Sequence, residues 1–314
     1  MRIETNKEKG LIKRISTNKK SLGDNVHYQI MLIPAIIFLI IFSIYPLINN
    51  IIAFKYFMPG RGIFGSPWAG WDHFKTVFMI PSFYRVLSNT VIIAVWKMAL
   101  HLIIPLLFAL MLNEVRTRWF KRSVQTIVYL PYFLSWVILA GIFKDVFSVE
   151  GIVNAFLGLF NIEPIMFFAS NSWFRPLIIT TDVWKNFGFN AIVYLAALTN
   201  ISPNLYEAAR IDGCSRLKQI WYITLPGLIP TIVLLGVLSL QNILNAGFDQ
   251  IFNMYNVLVY ETGDILDTYI YRMGLMDNQY EFATAVGLMK SAVAFIFIII
   301  AHWLAKKFAN YRIF

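Results

Sequence analysis

An all-α integral membrane protein with about six transmembrane helices is the fold class this sequence predicts. Three observations carry that expectation. Only 14% of the 314 residues are charged and 58% are hydrophobic, whereas ordinary soluble domains carry about 25% charged residues. Six apolar runs recur along the chain, each with roughly the twenty residues that a hydrocarbon core requires. The basic residues, finally, cluster on alternate connections between these runs, which is the pattern of the positive-inside rule.

The first 27 residues form a basic tail carrying Arg2, Lys7, Lys9, Lys13, Arg14, Lys19 and Lys20, and residues 28–314 form the membrane domain. The apolar run behind the tail is too long for a signal peptide and no small-residue cleavage site follows, so it is expected to stay as the first span. The six spans are placed at 30–53, 89–112, 123–143, 176–198, 226–246 and 282–306. Pro46, Pro105, Pro131 and Pro230 lie inside them, and each implies a kink whose freed backbone groups find partners on neighbouring helices. The connection from about 55 to 87 holds Gly60, Gly62, Gly65, Trp68, Gly70 and Trp71 and suits an ordered, turn-rich cap. The run 151–168 is apolar but interrupted by Asn154, Asn161, Glu163 and Pro164, which predicts a short helix at the outer surface.

Orientation follows from charge. Arg116, Arg118, Lys121 and Arg122 fall between the second and third spans, Arg210, Arg216 and Lys218 after the fourth, and Lys306, Lys307 and Arg312 at the end. Asp249, Glu261, Asp264, Asp267, Asp277 and Glu281 lie on the opposite connections. Both termini are therefore expected in the cytoplasm of a multi-pass plasma-membrane protein.

Several function classes are disfavoured by the same residues. The net charge of +10 is topogenic, since no basic patch is interleaved with aromatics on a soluble domain that a nucleic acid could use. Cys214 is the single cysteine, and His27, His73, His101 and His302 are scattered, so neither a disulfide nor a metal site is expected. Gly60-Arg61-Gly62-Ile63-Phe64-Gly65-Ser66 spaces two glycines like a phosphate loop, yet Ser66 stands where a lysine is needed. No catalytic residue, cofactor or metal is therefore assigned to this chain.

Polar residues inside the spans are the candidates for a transport pathway. Asp182, Asn186 and Asn190 repeat every four residues in the fourth span and share a helical face, and Gln241 and Asn245 do the same in the fifth. Ionisable groups at membrane depth cost about 2.5–3.5 kcal/mol on insertion scales, so they face water, a partner or a substrate. Lys97, Lys185 and Lys290 are three such cations. Two readings stand open for them. Lys185 pairs with Asp182 one turn back while Lys97 and Lys290 snorkel or meet carboxylates of another chain. Alternatively, one or more of the lysines attracts an acidic sugar, with Trp184 and Tyr194 offering stacking faces.

The most specific segment is the polar island between the fourth and fifth spans, at about 201–226. Glu207-Ala208-Ala209-Arg210-Ile211-Asp212-Gly213 is followed by Ile223-Thr224-Leu225-Pro226. It reads as two short helices around a hinge, with Ser202 capping the first, Pro203 in its first turn and Gly213 supplying a backbone that a Cβ disfavours. This spacing resembles the EAA loop of permease subunits of binding-protein-dependent ABC importers. Trp68-Ala69-Gly70-Trp71-Asp72-His73-Phe74 and Asn89-Thr90 are similar to the sugar-importer permeases. Leu112-Asn113-Glu114-Val115, Tyr129-Leu130-Pro131-Tyr132-Phe133-Leu134-Ser135-Trp136, Asp267-Thr268-Tyr269-Ile270-Tyr271-Arg272 and Ala283-Thr284-Ala285-Val286-Gly287-Leu288 resemble the polysaccharide and complex-oligosaccharide subgroup. Cys214, where the family usually has Ala, and Ile220-Trp221, near its common Phe, are mild departures.

The resemblance implies a type I ABC importer permease fold, with the first span wrapping outside a helical core. It implies a second homologous permease, two ABC ATPase subunits that bind ATP and Mg, an extracellular solute-binding protein, and an oligosaccharide as cargo. Under it, Glu207 and Asp212 contact the ATPase or cap the helices, Ala208 and Ala209 allow close seating, Gly213 sets the elbow, and Leu225 and Pro226 mark the return to the membrane. A secondary transporter or a membrane-embedded enzyme is the alternative, but the first needs no EAA loop and often shows inverted repeats, and the second needs clustered catalytic groups.

Overall fold

The computed structural model describes residues 28–240 and 243–308, with side chains to 303; the basic tail and Gln241 lie outside the described residues. Nearly all of the described chain is helical. It divides into two compact units, 1–68 and 69–314.

The first unit holds helix α1 (Tyr28–Phe54), long and apolar enough to cross a membrane. Its turn at Ile40–Ile44 widens to a π-turn, two residues before Pro46. The same arrangement recurs in the second unit, where a π-turn at Ile220–Thr224 precedes Pro226. A proline within a helix clashes with the carbonyl four residues back. Widening the preceding turn to i→i−5 bonding, as in Tyr45 N to Ile40 O and Leu225 N to Ile220 O, moves that carbonyl aside. The residues resembling a phosphate loop instead wrap a lysine: Lys55 Nζ donates to the carbonyls of Ile63 (2.7 Å) and Phe64 (3.2 Å), and Ser66 Oγ donates to Gly62 O at 2.6 Å.

In the second unit come α2 (Asp72–Met79) and then α3 (Pro81–Glu114), which starts eight residues before the expected second span. Pro105 sits within α3 without ending it, as Pro230 does within the fifth-span helix. The predicted third span is not one helix. It is α4 (Arg118–Tyr129), a 3₁₀ turn over Leu130–Phe133, and α5 (Trp136–Val146), bent by 105° at the break. Pro131 cannot continue the ladder of α4, and Ser135 starts α5 afresh, its Oγ accepting from Ile138 N at 3.4 Å.

Helix α6 (Ile152–Gly158) is the short helix expected in the interrupted run. Asn154, one of the interrupting residues, is 3% exposed. Its amide donates to Ser148 O (2.8 Å) and Ile165 O (2.9 Å) and accepts from Ile165 N (2.8 Å), closing the loop on itself. Asn154→Ala orphans these backbone groups and should lower stability by about 1–3 kcal/mol. Thermal unfolding of the detergent-solubilised protein checks this, and a melting curve unchanged from the parent's would refute it.

Helix α7 (Asn171–Thr199) contains the predicted fourth span. Among the described residues, four helices are long and apolar enough to cross a membrane, or five if the bent α4–α5 pair is one span. Helix α7, at 29 residues, is long enough, but Asp182, Lys185, Asn186 and Asn190 lower its hydropathy. The chain then forms α8 (Pro203–Ile211) and α9, a continuous helix over Arg216–Leu240. Two expectations change here. No new helix starts at Pro226, since α9 begins ten residues earlier, and a turn at 243–244 replaces the helix expected to reach 246. Short helices follow, among them α10 (Phe248–Met254) and α11 (Leu266–Tyr271), before α12 (Tyr280–Phe308).

Helices α3 and α7 pack along each other. Ile93 and Ala94 join Phe174, Leu177 and Ile178 in one buried cluster, which Ile251 and Met254 complete. Ala109 joins Ala191, Tyr194 and Leu198 in another, against Leu228 of α9. The close approach of α4 to α7 depends on Gly188, where a Cβ would stand 2.4 Å from the Val128 carbonyl oxygen.

Candidate functional site

Two features stand out: an exposed elbow between α8 and α9, and a polar cavity between α3 and α7.

The elbow is a Schellman C-cap. Cys214 N donates to Ala209 O at 2.8 Å and Gly213 N to Arg210 O at 3.1 Å, and Gly213 has φ +73°. This pairing satisfies the last carbonyls of α8 and requires a left-handed residue at the turn, which glycine adopts without strain. Pro203 occupies the first turn of α8 as expected, but Ser202 makes no side-chain cap. Tyr206 Oη and Thr224 Oγ1, 3.0 Å apart, hold α8 against α9. Arg216 reaches Glu114 at the end of α3 at 3.3 Å. Glu207, Ala208, Asp212, Gly213 and Pro226 are exposed, and Ala209 and Leu225 half-buried. Asp212 is the C-cap residue of α8, its backbone N–H donating to Ala208 O at 3.0 Å, whereas Glu207 lies within the helix and caps neither end. Ile211 (87% exposed), Leu217 and Tyr222 add an apolar surface beside them.

The cavity has a volume of about 360 Å³. Asp182, Asn186 and Asn190 line it from α7, as their four-residue spacing requires, and Lys97 and His101 face them from α3. Asp182 carries both contacts: His101 Nε2 lies 2.7 Å from Oδ2 and Lys97 Nζ 3.5 Å from Oδ1. Lys97 Nζ also donates to Gln250 Oε1 (2.5 Å) and Ala246 O (2.8 Å). Asn190 Nδ2 lies 3.0 Å from His101 Nδ1, and His101 Nε2 donates to the Asp182 carboxylate, which can only accept. Gln250 is itself tied to α7 through Ile178 O (2.7 Å) and Thr181 Oγ1 (2.9 Å).

Gln241 lies outside the described residues, and Asn245 also lines this cavity, from beyond the turn at 243–244 rather than from a helix. It stands just before Gly247 (φ +95°), whose N–H donates to Asn245 Oδ1 at 3.3 Å. The other pathway candidates stand elsewhere. Lys185 does not pair with Asp182. Its Nζ donates to Tyr132 O at 3.0 Å, a carbonyl at the break between α4 and α5, and lies 5.5 and 5.4 Å from the Tyr132 and Trp136 ring centroids. A cation there complements the carbonyl end of a helix. Lys290 neither snorkels nor awaits another chain; it pairs with Asp267. Lys97 likewise finds its carboxylate within this chain. Trp184 packs edge-on against Phe143, 5.6 Å between ring centroids, and Tyr194 is in the core.

Sequence reasoning missed His101 and Gln250. The first was legible, because Lys97 and His101 are four residues apart and must share a face of α3. Gln250 lies beyond a helix end that hydropathy did not mark.

Comparison with known proteins completes the assignment. Residues 101–310 match the model of the family described as binding-protein-dependent transport system inner membrane component. The polygalacturonan/rhamnogalacturonan transport system permease protein of Bacillus subtilis (strain 168) is 40% identical over 289 residues, 92% of this chain and 90% of that one. The lactose transport system permease protein of Rhizobium radiobacter is 32% identical, covering 76% of this chain and 80% of its own. A chain of a bacterial ABC transporter involved in import of the acidic polysaccharide alginate superimposes with TM-score 0.85 at 39% identity, over 92% of this chain and 98% of that chain. A second structure, the bacterial alginate ABC transporter in complex with alginate pentasaccharide-bound periplasmic protein, gives TM-score 0.86 at 38% identity, over 94% and 99%. With helices that suit a membrane and an elbow at the EAA positions, the chain belongs to the binding-protein-dependent transport system inner membrane component family and has the type I ABC importer permease fold.

Proposed function

We propose that this chain is one half of a heterodimeric permease that imports acidic, uronate-containing oligosaccharides across a bacterial plasma membrane. The observation that carries the reading is the likeness, over nine-tenths of the chain, to permeases named for polygalacturonan/rhamnogalacturonan and for alginate transport, all of them acidic glycans. Both termini and the α8–α9 elbow face the cytoplasm, in keeping with the basic residues Arg210, Arg216 and Lys218 around the elbow. One ATPase subunit receives the exposed elbow, with Ala208 and Ala209 permitting close approach and Glu207 and Asp212 at its rim. A second permease brings its own elbow to the second ATPase. An extracellular binding protein delivers the sugar to the opposite side.

Closure of the ATP-bound ATPase dimer displaces the elbow. The elbow follows α7 through the short connection at 200–202 and leads into α9, and Arg216–Glu114 ties it to α3. Its displacement therefore reaches the two helices whose side chains line the polar cavity, and alternating access follows.

The test is the reconstituted complex with its binding protein. Uronate oligosaccharide loaded on the binding protein should stimulate ATP hydrolysis at least ~10-fold over basal and drive uptake into proteoliposomes. Absence of co-purifying ATPase subunits, or uptake that persists without ATP, would favour a secondary transporter instead.

A further inference from the structure

The buried ion cluster has a feature that packing alone does not require. Two donors on one face of α3, Lys97 Nζ and His101 Nε2, converge on a single carboxylate, and that carboxylate sits on the wall of the 360 Å³ cavity. Lys97 is held from behind by Gln250 Oε1 and Ala246 O. Room for it is made by Gly247, where a Cβ would approach Nζ to 2.9 Å. Lys97 is thus held directly by groups outside α7, and His101 keeps a second contact, to Asn190, that does not depend on the acid.

We propose that Lys97 and His101 form a carboxylate-binding subsite that Asp182 fills in the conformation described, and that a uronate carboxylate of the cargo displaces Asp182 from it. The inference rests on the proposed import of acidic oligosaccharides and names the residues that read the acid. Two carboxylates held side by side against Lys97 and His101 would repel each other strongly in a low-dielectric setting, which favours exchange over addition. The released Asp182 carboxylate has a second cation within helical reach: Lys185, three residues on, has no carboxylate within ion-pair distance among the described residues. Charge balance is kept throughout. The cavity contains one cation and one anion before the cargo arrives, and the entering anion is matched by Lys185. Asn186, Asn190 and Asn245 supply neutral groups for the hydroxyls of the same sugar.

The test uses the assembled importer and two probes, a galacturonate trisaccharide and its methyl ester, which differ in charge and share the same rings. Asp182→Asn removes the internal competitor. It should tighten the apparent affinity for the acid about tenfold and leave that for the ester within twofold. Lys97→Met combined with Asp182→Asn leaves no unpaired charge and should abolish the preference for acid over ester. An Asp182→Asn importer that takes the acid no more tightly, or changes equally for both probes, overturns the proposal. Should that variant fail to assemble, the double variant decides, and a retained acid preference overturns it. A wild-type importer with no preference for the acid points to a different failure, that of the acidic-cargo reading itself.

Discussion

Asp264→Ala should destabilise the protein by about 3–5 kcal/mol, the usual cost of removing one partner from a buried ion pair. Asp264 is 2% exposed. Its carboxylate accepts from both ends of the Arg272 guanidinium, with Nη1 at 3.2 Å, and from Thr268 Oγ1 at 2.7 Å. Burial alone would favour neutral Arg272, but the hydrogen bond and charge of Asp264 hold its pKa above the ordinary arginine value. The guanidinium lies 4.4 Å from the Tyr260 ring centroid and 5.6 Å from that of Tyr269. Around this pair the loop before α11 is tied to α3. Asn89 Nδ2 donates to Glu261 O and Asp264 O, and Thr90 Oγ1 accepts from Leu266 N at 2.8 Å. Alanine at 264 would leave the mostly buried Arg272 charge among aromatic rings without its carboxylate. Asp264→Asn keeps an acceptor oxygen and should cost less, about 1–3 kcal/mol. Thermal unfolding of the solubilised protein would show the ordering, and an alanine variant that melts with the asparagine one would remove the ion pair from this account.

That latch also marks the limit of what the sequence made legible. Long apolar runs announce helices because their signal is summed over twenty residues, and each predicted run does contain helix. The elbow was legible too, since Glu207-Ala208-Ala209 and Gly213 are adjacent in sequence and their geometry is local. Helix ends were not. Hydropathy cannot distinguish Leu240, in α9, from Ile243 and Leu244, which are buried in the turn at 243–244. The break at Pro131 was expected as a kink, but its 105° bend depends on Ser135 restarting a helix and on Lys185 of a distant segment meeting Tyr132 O.

Pairing across helices was the least accessible. Asp182 and Lys185 are neighbours in the sequence, and helical spacing makes them obvious partners. In three dimensions Asp182 faces α3 and Lys185 faces the break. The actual partner of Asp182, Lys97, is 85 positions away, and nothing local distinguishes it from Lys290. Periodicity assigns a residue to a face, whereas tertiary packing decides which face of which helix lies opposite.

Gly213→Val should uncouple the importer without unfolding this chain, and it tests the proposed role of the elbow directly. The C-cap of α8 needs a left-handed residue at 213 to bring Cys214 N to Ala209 O. A β-branched residue held at φ +73° is strained by about 1–3 kcal/mol. No atom lies within 4 Å of a Cβ built there, so the effect comes from the backbone angle and not from a clash. Relief of that strain means opening the turn between α8 and α9, which changes the angle at which Glu207 and Ala208 are presented. The spans are untouched, and insertion and melting temperature should stay close to the parent's. Substrate-stimulated ATP hydrolysis and uptake should both fall at least ~10-fold. Gly213→Asn is the discriminating companion, because asparagine tolerates the left-handed region several-fold better than other side chains. It adds comparable bulk at the same exposed position yet should retain most of the coupling. Full stimulated hydrolysis and transport by the valine importer would exclude the elbow geometry from coupling. Equal loss in the valine and asparagine importers would point instead to steric exclusion of the ATPase.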